Sequence, residues 1–204
     1  MRLDNLPFNW FDVLTVLLLV LGVTRGRKRG MSQEVFTVLL WASIVVGCSA
    51  AYQPLGGWLC SVSPFSLLWS YITCYLILAG LIAILFVMFK RALGGKIIGS
   101  DTFGKAEYYL GMPAGMLRFA CILITLLALL NARYYTTKEI KARHAYQMDV
   151  YGSEFFPGLS TIQEDVFTRS FIGPYIKKYG EFLLITPTEP QNKSLRNTRQ
   201  ASLP

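Results

Sequence analysis

Three ionisable residues stand inside or at the rim of long apolar runs: Asp12, Glu34 and Arg118. Charge in hydrocarbon is costly, so such groups mark either a polar path or a structural pair that neutralises itself. Asp12 also suits a helix start, where a carboxylate meets the positive end of the helix dipole. Glu34 also suits an interfacial position. Arg118 lies too deep for that, although a long stem can carry its guanidinium back toward a surface. The one histidine, His144, lies in a polar stretch. Cys48, Cys60, Cys74 and Cys121 have neither CxxC nor Cys/His spacing, so no disulfide framework and no metal site are expected. No nucleophile elbow, phosphate-binding glycine loop or catalytic dyad can be read, and no cofactor is expected.

The elements that would carry these residues are membrane helices. Hydrophobic residues make up 53% of the 204-residue chain and charged residues only 16%, well below the usual quarter, and the mean hydropathy is +0.41. The formal charge of +8 does not point to nucleic acid, because the cations cluster at the ends of apolar runs, where they orient helices. The spacing predicts four spans at about 8–23, 35–51, 65–89 and 111–130, each near the roughly 20 residues a bilayer crossing needs. A basic loop with Arg25, Arg27, Lys28 and Arg29 joins the first two. Asp4 and Asp12 precede the first run and the cations follow it, the reverse of a cleaved signal peptide, so a retained helix is expected. Pro54, Gly56 and Gly57 make residues 52–64 a turn-rich loop. Glycines at 94, 95, 99 and 104 make residues 90–110 a broken interfacial segment.

Gly22, Gly26 and Gly30 recur every four residues. They form either one smooth helix face for close backbone approach or, at Gly26 and Gly30, a flexible turn. Gly111 and Gly115 are a second small-residue pair of that kind. Beyond residue 135 the character changes. Ile162, Val166, Phe167, Phe171, Ile172, Tyr175, Ile176 and Tyr179 have helical spacing. Ser160 with Gln163, or Thr161 with Glu164, offers a capping box, and Gly173-Pro174 breaks or kinks the helix. Residues 136–186 thus read as amphipathic helices on the membrane or on the bundle, or as a small soluble cap. Residues 187–204 have a disordered composition. The expected fold is all-α: a four-span domain over 1–135 with an amphipathic helical tail.

The stretch Asn9, Trp10, Phe11, Asp12, then Leu21-Gly22, Arg25-Gly26, Arg29-Gly30 and Glu34, resembles the opening of the colicin V production protein (CvpA) family. Leu110, Gly111, Met112, Pro113, Ala114, Gly115, Met116, Leu117 and Arg118 resemble that family's fourth-helix motif. The resemblance spans residues 8 to about 135. Tyr108-Tyr109 and Phe119 depart from the family pattern. It implies a multi-pass protein of the bacterial inner membrane, from a family named for a requirement in producing a secreted peptide toxin, and it transfers no catalytic residue.

Two functions are then expected as alternatives. One is a non-enzymatic membrane factor that supports toxin production or export, or maintains the envelope, through copies of itself or other inner-membrane proteins within the lipid bilayer. The other is a small oligomeric transporter or channel with a polar path at Asp12, Glu34 and Arg118. The basic loops place residues 24–34 and 90–105 in the cytoplasm, with the N-terminus and tail outside. Arg133, Lys138, Lys141 and Arg143, close behind the fourth span, pull the other way. Arg118 lies about 10 Å along its helix from Gly111, and its side chain points back toward the helix start. A Glu34–Arg118 pair is therefore expected.

Overall fold

Asn9 starts the first helix. Its side chain accepts from Trp10 N at 2.7 Å, while the Asp12 carboxylate accepts from Asn9 N at 2.9 Å, so the sequence closes its own capping box. The computed structural model describes residues 9–92, 104, 106–136, 139–141, 145–146, 148–149 and 158–188. Among them the structure is helical, with one isolated parallel bridge between Arg133 and Thr188. Helix α1 spans Trp10–Arg29, α2 Met31–Val62, α3 Leu67–Ala92 and α4 Ala106–Asn131. Then come α5 at Leu159–Glu164, a π-helical turn at Asp165–Arg169, α6 at Ile172–Tyr179 and a 3-10 turn at Glu181–Leu183.

Helices α2, α3 and α4, of 32, 26 and 26 residues, are each long and apolar enough to cross a membrane. A helix pairs most of its backbone polar groups within itself, as a lipid environment demands, although Pro54 in α2 and Pro113 in α4 each withdraw one donor. Helix α1 lies along α4, which packs in turn on α2, and α3 covers the far side of α2. Burial follows that order. Of the most apolar stretch of α4, 39% is buried inside the protein, against 11% for α3. The outward face of α3, with Leu76, Ile77, Leu81, Ile84, Leu85 and Met88, is exposed apolar surface of the kind lipid covers.

The helices differ from the expected spans. The first two are joined by a single residue, Gly30, at φ +80°, and not by a basic loop. Arg27, Lys28 and Arg29 form the last turn of α1, where cations meet the negative dipole end. Residues 52–62, expected as a loop, continue α2 with Pro54 inside the helix. Proline and glycine break helices in water but are tolerated where apolar surroundings penalise an unpaired backbone. Gly56 has a direct role there, because a Cβ on it would run into the Tyr71 ring of α3. Helix α4 likewise starts at Ala106 and carries Pro113 within it, so residues 106–110 are helical rather than broken. The rest of that segment (93–103 and 105), His144 and residues 189–204 lie outside the described residues.

The segment 158–188 packs onto the bundle. Val166, Phe167, Leu184 and Ile185 join one buried cluster with Phe11, Ile44, Cys48, Tyr52, Leu68, Tyr75, Leu123 and Leu127. Neither proposed capping box forms: Gly158 is the N-cap of α5, without a side-chain bond. Gln163 instead donates to Leu130 O at 3.3 Å and Arg133 O at 3.1 Å, tying α5 to the end of α4. The break comes at Ser170 and Phe171, and Pro174 sits in the first turn of α6, where a missing N–H is harmless.

Candidate functional site

The α1–α4 contact is a contact of backbones. An ideal Cβ on Gly22 would lie 2.8 Å from Gly115 O, and one on Gly26 would collide with Gly111 O. From the other side, a Cβ on Gly111 would collide with Gly26 O, and one on Gly115 with Gly22 O. The close-approach reading of the glycine series extends to Gly26, which is inside α1 and not in a turn, and the chain turns at Gly30 alone. Gly22 and Gly26 are the smooth face, whereas Gly30 is the hinge, in a left-handed conformation that disfavours any side chain. Gly30 is also packed, since a Cβ there would sit 2.7 Å from Glu107 Cγ.

This approach sets two acidic side chains at the basic end of the bundle. The Gly30 turn starts α2 immediately, so Glu34 falls in its first turn and faces α4. Arg118 points back along α4 toward it. One guanidinium nitrogen, Nη1, donates to Glu34 Oε1 at 2.8 Å and to Oε2 at 2.7 Å. Glu34 is fully buried and the Arg118 side chain is 7% exposed. Arg29 Nη1 stands 3.7 Å from the same carboxylate, and the Arg118 guanidinium lies 4.8 Å over the Phe119 ring. Beside this pair, Glu107 accepts from Ser32 N at 2.5 Å and from Ser32 Oγ at 3.1 Å. Gly30 cannot cap α2, so Glu107 does so from another helix. Glu107 and Ser32 were missed in the sequence. Their only signal is an acid in the first turn of α4, which reads more simply as a dipole partner.

Asp12 does not belong to that cluster. It lies 17 residues before Arg29 on α1, about 25 Å along the axis. The same carboxylate that caps α1 accepts from Phe171 N at 2.9 Å and Ile172 N at 3.0 Å, so it caps the start of α6 as well. Two further ties fasten the tail at that end. Tyr52 Oη accepts from Thr186 N at 3.0 Å, and Asn131 Nδ2 donates to Ile185 O at 3.0 Å. The segment 158–188 therefore sits at the end of the bundle opposite the basic cluster. Arg25 is exposed and takes no part in either group. Among the described residues no cluster of His, Cys, Asp or Glu could hold a metal ion.

Replacing Asp12 with alanine removes the acceptor shared by two tail N–H groups, each worth about 1–3 kcal/mol. The tail is expected to loosen while the bundle stays folded. Hydrogen exchange should quicken at the amides of α6 and of residues 184–188 and stay unchanged in α2 and α3. Equal acceleration in all four helices would refute a local docking role.

Comparison with curated proteins finds no match, and comparison with solved structures finds none. A family model does match: the one described as Colicin V production protein covers residues 11–164. That match runs from the first helix through α5 and takes in the glycine contact, the Glu34–Arg118 pair and Asp12, so the chain belongs to the colicin V production protein family.

Proposed function

We propose that the chain is a non-enzymatic protein of the bacterial inner membrane, in which α1 is a fourth span beside α2, α3 and α4. It acts through protein partners, in production or export of a secreted toxin or in upkeep of the envelope. The observation that carries this reading is the use made of the buried acids. Glu34 is taken up by Arg118, Glu107 by Ser32 and Asp12 by Phe171 and Ile172. The buried ionisable groups of these helices hold the protein's own elements together, and the outer faces of α1 and α3 are left apolar for lipid or for helices of other proteins. Capture of the intact chain from membranes in mild detergent tests it. Envelope or secretion components should co-purify reproducibly, and recovery of the bait alone would count against the reading.

Transport through an oligomer is the second reading, favoured by one observation: Arg29, Glu34 and Arg118 gather charge between α1, α2 and α4. Asp12 at the far end is a poor fit to a continuous path. Reconstituted liposomes separate the two, because solute or ion flux that depends on Arg118 supports transport and flat flux over a broad panel opposes it.

For orientation, the basic end faces the cytoplasm in this reading and the 158–188 segment faces outward. The structure's separation of those ends supports an opposed pair, whichever way it is inserted. In a chain with the four native cysteines replaced, Ser194→Cys is expected to react with an impermeant thiol reagent in spheroplasts and Lys28→Cys to be protected. The reverse pattern would invert the topology.

A further inference from the structure

The last two turns of α1 and the adjoining face of α4 enclose a groove of about 420 Å³, lined by Leu21, Thr24, Arg25, Lys28, Arg29 and Phe119. Its polar part is cationic. Arg25 and Lys28 follow Leu21 by one and two helical turns and so share its face, and no acidic side chain lines the groove. Among the described residues Arg25 and Lys28 make no ion pair, and Arg29 has only a 3.7 Å contact to a carboxylate already held by Arg118. Its apolar part continues as a stripe. Leu14, Leu17 and Leu21 are each about half exposed and run down α1 away from the cations. The cations begin where the apolar run of α1 ends, at the level where a helix leaves hydrocarbon for headgroups.

We propose that this groove binds an anionic phospholipid of the surrounding leaflet. Its phosphate sits among Arg25, Lys28 and Arg29, and an acyl chain lies over Phe119, Leu21 and Leu17. The proposal rests on the membrane reading above, but on neither the orientation nor the partners. Charge complementarity selects the occupant. Three cations without a lining acid favour a phosphate diester with net negative charge over a zwitterionic lipid, whose own ammonium would be repelled. The apolar stripe distinguishes a lipid from free phosphate, which has nothing to place there.

The test is native mass spectrometry of the purified full chain, titrated in detergent with phosphatidylglycerol, phosphatidylcholine or inorganic phosphate. Phosphatidylglycerol is expected to be retained at least tenfold more tightly than phosphatidylcholine, by an estimate of about fivefold per surface cation. Inorganic phosphate at millimolar levels should not displace it. The Arg25→Gln/Lys28→Gln variant should lose about 25-fold in retention on the same basis. Both side chains are exposed, so the fold should survive, as unchanged thermal unfolding would verify. Arg27→Gln, on the same turn but outside the groove, should bind as the parent does. Equal retention of both lipids, displacement by phosphate, or an equal loss in Arg27→Gln would each overturn the proposal. Partner capture is read separately, so failure here leaves the proposed function standing, and the converse also holds.

Discussion

Glu34→Ala is expected to cost about 3–5 kcal/mol of stability, enough to remove most of the folded protein from the membrane. The reason is the state in which it leaves Arg118. That side chain is 7% exposed, and its only acid partner among the described residues would be gone, leaving a cation buried without compensation. Both short contacts come from a single nitrogen, Nη1, so the geometry is end-on rather than a two-pronged fork. An ammonium can imitate an end-on contact, and Arg118→Lys should therefore cost far less than Arg118→Ala. Charge reversal at one position should be as damaging as removal. The double variant Glu34→Arg/Arg118→Glu should recover part of the loss but not all of it, because Arg29, 3.7 Å from the Glu34 carboxylate, would then face a like charge. Joint replacement by leucine separates structure from function. A well-packed apolar pair can match a buried ion pair in stability, so Glu34→Leu/Arg118→Leu should fold. If that variant still supports the phenotype of the parent, the charges serve architecture alone. Thermal unfolding in detergent and the yield of membrane-inserted protein measure each variant. A Glu34→Ala protein as stable as the parent would remove the pair from any account of the fold.

How much of this could be read in the sequence depends on how far each feature acts along the chain. The Glu34–Arg118 pair was legible because a charge in an apolar run requires a partner, and the Arg118 side chain points back along its helix toward the shallower Glu34. The glycine faces were half legible: a four-residue repeat maps onto one side of a helix, but at Gly26 and Gly30 it reads equally well as a turn. The helicity of residues 52–62 was not. Pro54, Gly56 and Gly57 carry the turn chemistry of soluble proteins, and only an apolar environment reverses its sign. Nor was the tail's role legible. Gln163 reads locally as half of a capping box, yet it donates to carbonyls at the end of α4. Asp12 reads as a helix-start residue and is one, but its second function depends on Phe171 and Ile172, far along the chain. Glu107 likewise serves a helix other than its own. In each case a local pattern was satisfied by a distant partner, which spacing alone does not reveal.

Gly26→Ala should destabilise the protein, while Gly80→Ala should leave it unchanged or slightly more stable. The two substitutions add the same methyl group to the interior of a helix, and alanine is intrinsically the better helix former by about 1 kcal/mol. What differs is the surroundings. A Cβ on Gly80 meets nothing within 4 Å, whereas one on Gly26 meets the Gly111 carbonyl, and Gly115 Cα lies 3.0 Å away. Overpacking against side chains typically costs about 1–3 kcal/mol, because rotamers shift to make room. Here the obstacle is backbone, which has no rotamer, so α1 and α4 must separate as units. The cost should lie at the upper end of that range, and Gly26→Leu should exceed it. Separation also moves α4, and with it Arg118, away from Glu34, so the glycine variant should weaken the ion pair without touching either charge. A test follows from that coupling. Gly26→Ala combined with Arg118→Ala should cost less than the sum of the single effects. The contrast with the charge pair is in rescue. A reversed charge can be met by reversing its partner, but Gly26 faces Gly111 and Gly115, which are already the smallest residues available, so no substitution opposite it makes room. If Gly26→Ala and Gly80→Ala unfold at the same temperature in the same detergent, the close α1–α4 contact is not a determinant of this fold.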